Sequence, residues 1–189
     1  MPAKSPTAIY QLKITLRDSR PPIWRRVLVP AHFTLAQLHW VIQHAMGCTN
    51  SHLHHFKVGE VFYSLPMPGT DWEELDEKDS RRVTLGQVAP GVKAKFIYEY
   101  DFGDSWGHEV LVEKILPPDS ALKHPVCVKG KGASPPEDVG GVWGYASFLD
   151  ALNDPKHEEH EMYVEWIGGE FDPEAFDLDE VNAALRRIK

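Results

Sequence analysis

Hydrophobic and polar residues alternate at the start of the chain, where Tyr10, Leu12, Ile14 and Leu16 are interleaved with Gln11, Lys13, Thr15 and Arg17. A period of two places each set on one face of a strand, one buried and one wet. The run Arg17-Asp18-Ser19-Arg20-Pro21-Pro22 breaks the pattern, and Ile23 to Val29, closed by Pro30, predicts a second strand and so a hairpin. Thr34 and Gln37 stand three apart, the spacing at which a hydroxyl and an amide satisfy each other's free backbone donors in a capping box. A helix is expected after them, with Leu35, Leu38, Ile42 and Ala45 on its buried stripe and Gly47 as its stop.

Further along, His54, Phe56 and Val58, then Val61 and Tyr63, flank Gly59-Glu60, which predicts two more strands joined by a tight turn. Residues 64–82, with Asp71, Glu73, Glu74, Asp76, Glu77 and Asp79, read as an acidic surface loop, and a short helical turn is expected at 84–88. Phe96, Tyr98, Tyr100 and Phe102 alternate with Ile97, Glu99 and Asp101, and after Gly103-Asp104-Ser105 a partner strand is expected from His108 to Leu116. Residues 117–141, rich in Pro and Gly, read as a long irregular connection. Tyr145, Phe148, Leu149 and Leu152 mark a helix ended by Asp154-Pro155, and Leu178, Val181, Leu185 and Ile188 mark a last one capped by Asp177.

This order predicts an α+β fold. The sheet is expected to be mixed or antiparallel, with five to six strands and a β-grasp-like start, packed with one helix of the N-terminal half and a C-terminal helical segment. A length of 189 residues suits one domain over 1–189, with a sheet-rich core at 1–116, the connection at 117–141 and a helical part at 142–189.

Composition excludes several classes. Hydrophobic residues at 42% and charged residues at 25% are those of a globular chain, not of a disordered one or a coiled coil. No apolar run reaches the roughly 20 residues that span a bilayer, and Met1 to Pro6 lacks the apolar stretch of a secretory signal. A cytoplasmic protein without membrane contact is therefore expected. Two cysteines, Cys48 and Cys127, are too few for a disulfide framework. Charge is unevenly spread: the first 60 residues hold seven Lys/Arg against Asp18 and Glu60, although the chain as a whole stands at −8. The halves either attract one another or leave a basic surface at the N-terminal end.

Ten histidines are the first candidate chemistry, and His32, His39, His44, His52, His54 and His55 fall close together. On a strand His52 and His54 would share a face, as two metal ligands require, and His55 would point away. Asp101, Asp104 or His108 from the later hairpin are candidates for a third ligand, and Cys127 for a thiolate. His157-Glu158-Glu159-His160-Glu161 is not a zincin motif, because Glu161 stands where the second histidine is needed. A nucleophile elbow and a phosphate-binding loop are both missing from the sequence. Trp24-Arg25-Arg26 sets an aromatic beside two guanidinium groups, a pairing suited to bases and phosphates, but a strand turns Arg25 and Arg26 to opposite sides. Tyr100-Asp101-Phe102-Gly103-Asp104-Ser105-Trp106-Gly107-His108 concentrates carboxylates, aromatics and an imidazole in one turn and ranks first as a binding surface.

Several stretches together resemble the plasmid pRiA4b ORF-3-like family: Ile9 to Ile14, Pro21 to Val27, Leu35 to His39, His52 to His54, the Tyr100 to His108 turn, Pro135-Pro136-Glu137-Asp138-Val139-Gly140-Gly141 and Phe176 to Leu178. The resemblance implies an α+β domain, encoded in some members on plasmids or near mobile elements, and it implies no particular reaction. Some relatives carry further cysteines where this chain has Ser134 and Val139. A metal here would then rest on histidine and carboxylate ligands.

The leading expectation is a non-enzymatic binding module that meets an unidentified protein partner through Trp24, Arg25, Asp101, Asp104, Trp106 and His108, with no cofactor. The first alternative is a hydrolase holding a divalent metal such as zinc on His52, His54, Asp101, Asp104 and His108, with a metal-bound water as nucleophile. The second is weak nucleic-acid binding through the basic N-terminal third.

Overall fold

A computed structural model describes residues 7–66 and 77–188. In chain order the elements are β1 (Ile9–Leu16), β2 (Trp24–Pro30), α1 (Leu35–Met46), β3 (His54–Val58), β4 (Val61–Ser64), β5 (Glu77–Asp79), α2 (Leu85–Val88), β6 (Lys95–Tyr100), β7 (Trp106–Leu116), β8 (Val126–Lys131), α3 (Gly141–Asn153), α4 (His160–Ile167) and α5 (Leu178–Leu185). The strands form one sheet in the order β5-β4-β3-β6-β7-β1-β2-β8. Every neighbouring pair is antiparallel except β4 and β5, so the sheet is mixed.

The α+β class stands, but the eight strands and five helices among the described residues exceed the five to six strands and single first-half helix expected. The extra strands exist through long-range pairing. β8 emerges inside the Pro/Gly-rich connection because Val126 to Lys131 run alongside β2, and the three residues of β5 are ordered against β4. Of the acidic loop, Asp71, Glu73, Glu74 and Asp76 lie outside the described residues, as does Met1 to Pro6.

The alternation at the start of the chain explains the layering. Tyr10, Leu12, Ile14 and Leu16 are buried in the core with Leu35, Leu38, Val41, Ile42 and Ala45 of α1, while Gln11, Lys13 and Thr15 are half-buried on the opposite face. Burying each such Leu or Ile side chain contributes roughly 1.5–3 kcal/mol. The capping box forms as spaced: the Gln37 N–H donates to Thr34 Oγ1 at 3.1 Å, and the Thr34 N–H donates to Gln37 Oε1 at 3.0 Å. Gly47 ends α1 at φ +73°, a left-handed conformation that needs no side chain. Among the described residues, no helix is long and apolar enough to cross a membrane.

Candidate functional site

Three separate segments converge beside the β6–β7 hairpin. The first is the loop from α1 to β3, which carries His52 and is held by side chains rather than by regular pairing. Gln43 Oε1 accepts from the Asn50 N–H (2.8 Å), Tyr100 Oη from the Ser51 N–H (2.9 Å) and Glu137 Oε1 from the Thr49 N–H (2.7 Å). A ring nitrogen of His39 meets Asn50 Oδ1 at 3.0 Å.

The second segment is the hairpin turn. Asp101 takes a left-handed conformation (φ +57°) as β6 ends, its N–H donates to the Leu53 carbonyl (2.9 Å), and its Oδ1 accepts from the Gly103 N–H (2.9 Å). With one oxygen committed to the turn, Oδ2 is free to face His52 Nε2 at 3.6 Å. The third is the Pro135-to-Gly141 loop. Its Asp138 Oδ1 lies 3.1 Å from the same nitrogen and its Glu137 Oε2 lies 3.9 Å away. Asp138 is 72% exposed, so the cluster opens to solvent on that side.

His52 Nε2 is buried and has no hydrogen-bond partner among the described residues, the Asp101 and Glu137 oxygens standing at 3.6 and 3.9 Å. The nitrogen and one oxygen each from Asp101 and Asp138 all lie within 4.8 Å of one another. His52 Nε2 lies 3.1 Å from Asp138 Oδ1 and 3.6 Å from Asp101 Oδ2, near the roughly 3.4 Å that separates donors gathered tetrahedrally on one ion at bonds of about 2.1 Å. Three carboxylates facing one imidazole also repel each other unless a cation sits among them.

Asp104 is not in this cluster. Its Oδ2 accepts from the Gly140 N–H at 3.0 Å, which docks the hairpin tip on the loop that carries Asp138. Gly141, at φ +68°, allows that approach, since a Cβ there would lie 2.4 Å from the Asp104 carbonyl oxygen.

His54 does not share a face with His52, because β3 begins only at His54 and the strand period does not extend back into the loop. Its ring is 8% exposed and stacked on His39, and burial pulls its pKa down to about 3. His108 also lies in the core, with Nδ1 bonded to the Trp106 carbonyl (2.9 Å) and its pKa lowered by burial to about 4. Of the metal ligands expected from the sequence, the structure brings together His52 and Asp101 and sets Asp138 beside them, while Glu137 Oε2 stands 3.9 Å from His52 Nε2.

The six expected contact residues do not make one surface. Trp106 is 5% exposed and Arg25 only 3%. The Arg25 guanidinium donates to the carbonyls of Ala45, Trp24, Lys131 and Gly132 at 2.8–2.9 Å and lies over the Phe176 ring, 4.5 Å from its centroid. Burial lowers its pKa to about 10. Trp24 is half-buried against Lys13 and Arg26. Cys127 is buried, with burial raising its thiol pKa, and lies on β8 away from His52 in the strand order. The sequence pattern does not mark Glu137 or Asp138 as site residues; their only signal is the Pro-Pro-Glu-Asp stretch that contributes to the family resemblance.

Residues 8–180 match the family described as plasmid pRiA4b ORF-3-like protein. The chain belongs to that family. The matched span holds His52, Asp101, Glu137 and Asp138. Uncharacterized protein y4hQ of Sinorhizobium fredii is 41% identical over 180 residues, covering 94% of this chain and 91% of its own. The crystal structure of MM3350, a protein of unknown function from Methanosarcina mazei Go1, superposes with a TM-score of 0.82 at 35% identity, covering 92% of this chain and 97% of that one. The names of these two family relatives carry no reaction.

Proposed function

We propose that this protein is a binding module that holds one divalent cation on His52, Asp101, Glu137 and Asp138. The observation that carries the reading is the buried, unpartnered Nε2 of His52 among carboxylate oxygens at 3.1–3.9 Å. An imidazole nitrogen that donated its proton would point at one acceptor in line. One that offers a lone pair makes no such bond and can share an ion with the oxygens beside it. A set of one imidazole and carboxylates suits zinc or manganese better than calcium, which prefers oxygen alone.

The ion would tie the His52 loop and the β6–β7 turn to the loop preceding α3. The site's role is then to join three segments through one ion and to leave its exposed side, at Asp138, for a further ligand. Calorimetric titration of zinc and manganese into tag-free protein tests this. The expected result is one ion per chain, with His52→Ala and Asp138→Asn each weakening binding 10-fold or more and Asp104→Asn leaving it unchanged. Uptake that is indifferent to both His52→Ala and Asp138→Asn would overturn the reading.

A further inference from the structure

Cross-strand register lines up four cations on the sheet face turned away from α1. Lys95 of β6 stands opposite Leu111 of β7, Leu111 opposite Lys13 of β1, Lys13 opposite Arg26 of β2, and Arg26 opposite Lys129 of β8. The pleat assigns Lys95, Lys13 and Arg26 to the outer face, because their strand neighbours Phe96, Leu12, Ile14, Arg25 and Val27 are buried, and Lys129 follows from its pairing with Arg26.

Lys13, Arg26 and Lys129 are like charges directly opposite on three adjacent strands, a placement that weakens strand pairing. The chain relieves it only in part. Both oxygens of Glu113 are taken by Arg26, and Lys95 meets Glu109 at 3.2 Å at an exposed position where the pair gains little. Among the described residues, Lys13 and Lys129 make no ion pair. Glu113 feels Lys13 electrostatically, but its oxygens are held by Arg26 and Gln11. Trp24, on the next outward row, borders the line: Lys13 Nζ and the Arg26 guanidinium each lie 5.2 Å from its ring.

We propose that this row is a track for single-stranded nucleic acid, with phosphates lying along Lys95, Lys13, Arg26 and Lys129 and a base against Trp24. A linear polyanion crossing the strands removes the repulsion within the row. The adjacent indole favours a nucleic acid over an acidic peptide, since every base offers a face to stack. An unstacked base of this kind is available from a single strand and not from an intact duplex. The four steps from β6 to β8 span about 19 Å at the usual strand spacing. The track is independent of the His52 cluster, whose residues lie on loops beside the hairpin.

Fluorescence anisotropy of a labelled oligothymidylate with the full chain, titrated at increasing salt, tests it. Four phosphates contacted on a single strand give a log–log salt slope of about 3, and Lys13→Gln and Lys129→Gln should each lower it by about 0.7. Lys156→Gln, between α3 and α4, should leave it unchanged. Trp24→Phe should bind like the parent, while Trp24→Ala, shown folded by its circular dichroism, weakens binding roughly 5- to 150-fold. No binding at the lowest salt, or a slope untouched by Lys13→Gln, would overturn the proposal. So would equal displacement of the strand by polyglutamate, which would assign the row to an acidic peptide.

Discussion

The imidazoles of His39 and His54 lie face to face, with ring centroids 3.6 Å apart and planes 12° from parallel. A stack of this kind tolerates two neutral rings and not two cations. Burial is the main cause that lowers the pKa of both, to about 4 for His39 and about 3 for His54, and in His54 the His39 ring adds to it.

This pairing makes stability dependent on pH. His39, His54 and His108 all have folded-state pKa values below the ordinary value of 6.5, so between the two values the unfolded chain binds more protons. Their contribution is fully present above about pH 6.5 and is lost as pH falls towards 4. At 1.36 kcal/mol per pH unit, each histidine withdraws roughly 2 kcal/mol between pH 6.5 and 5. Denaturant midpoints should therefore fall steeply through that window, and His54→Phe should flatten the fall. A flat profile in the parent protein would show that these rings titrate normally.

Glu137 separates structural from ion-binding roles. Its Oε1 accepts from the Thr49 N–H and from the Tyr100 hydroxyl, at 2.7 and 3.2 Å. Glu137→Ala strands the part-buried Tyr100 hydroxyl, at about 1–3 kcal/mol where it stays dry, and leaves the exposed Thr49 N–H to water. Glu137→Gln keeps an acceptor and should cost less, yet it removes a charge from the ion's surroundings. Thermal melts and zinc titrations of both variants are the measurement. Full zinc affinity in Glu137→Gln would remove Glu137 from the ligand set.

Local signals were legible in the chain, and contacts that depend on distant partners were not. The capping box at Thr34, the stop at Gly47 and the turn after Tyr100 each depend on residues a few positions apart, and each is found where expected. Asp177 likewise caps α5, accepting from the Asp179 and Glu180 N–H groups. β8 was hidden because nothing in Val126 to Lys131 announces pairing with β2. Half of the proposed ion site was visible in His52 and Asp101. The other half depends on Asp104 docking against Gly140, which carries Asp138 into reach, and a residue spacing holds no record of that fold-back. His54 and His108 looked equivalent to His52 because composition does not distinguish a buried imidazole from a ligand.

Gly130 is the contact point beneath Arg25. A Cβ there would lie 2.5 Å from Phe176 Cζ and 2.8 Å from Arg25 Cδ, and the Arg25 head is pinned by four backbone carbonyls. Gly130→Ala should destabilise by about 1–3 kcal/mol through overpacking. In a Phe176→Ala background the same change should cost less, because the ring has gone. Equal costs in the two backgrounds, read from chemical denaturation, would show that Phe176 is not the obstacle.

Asn182 finishes the edge of the sheet. Its Oδ1 accepts from the Cys127 N–H at 2.8 Å and its Nδ2 donates to the Cys127 carbonyl at 2.9 Å, so one side chain satisfies both backbone groups as a neighbouring strand would. Asn182→Ala leaves a donor and an acceptor unpaired at roughly 1–3 kcal/mol each where they stay dry. Asn182→Asp keeps the acceptor, loses the donor and sets a carboxylate against the Cys127 carbonyl. It should not recover the parent's stability. The freed groups on β8 also become a template for a strand of another molecule. Size-exclusion chromatography at increasing concentration should show self-association in Asn182→Ala and not in the parent. A variant that melts with the parent and elutes with it would show that the amide is dispensable and that the edge is protected by other means.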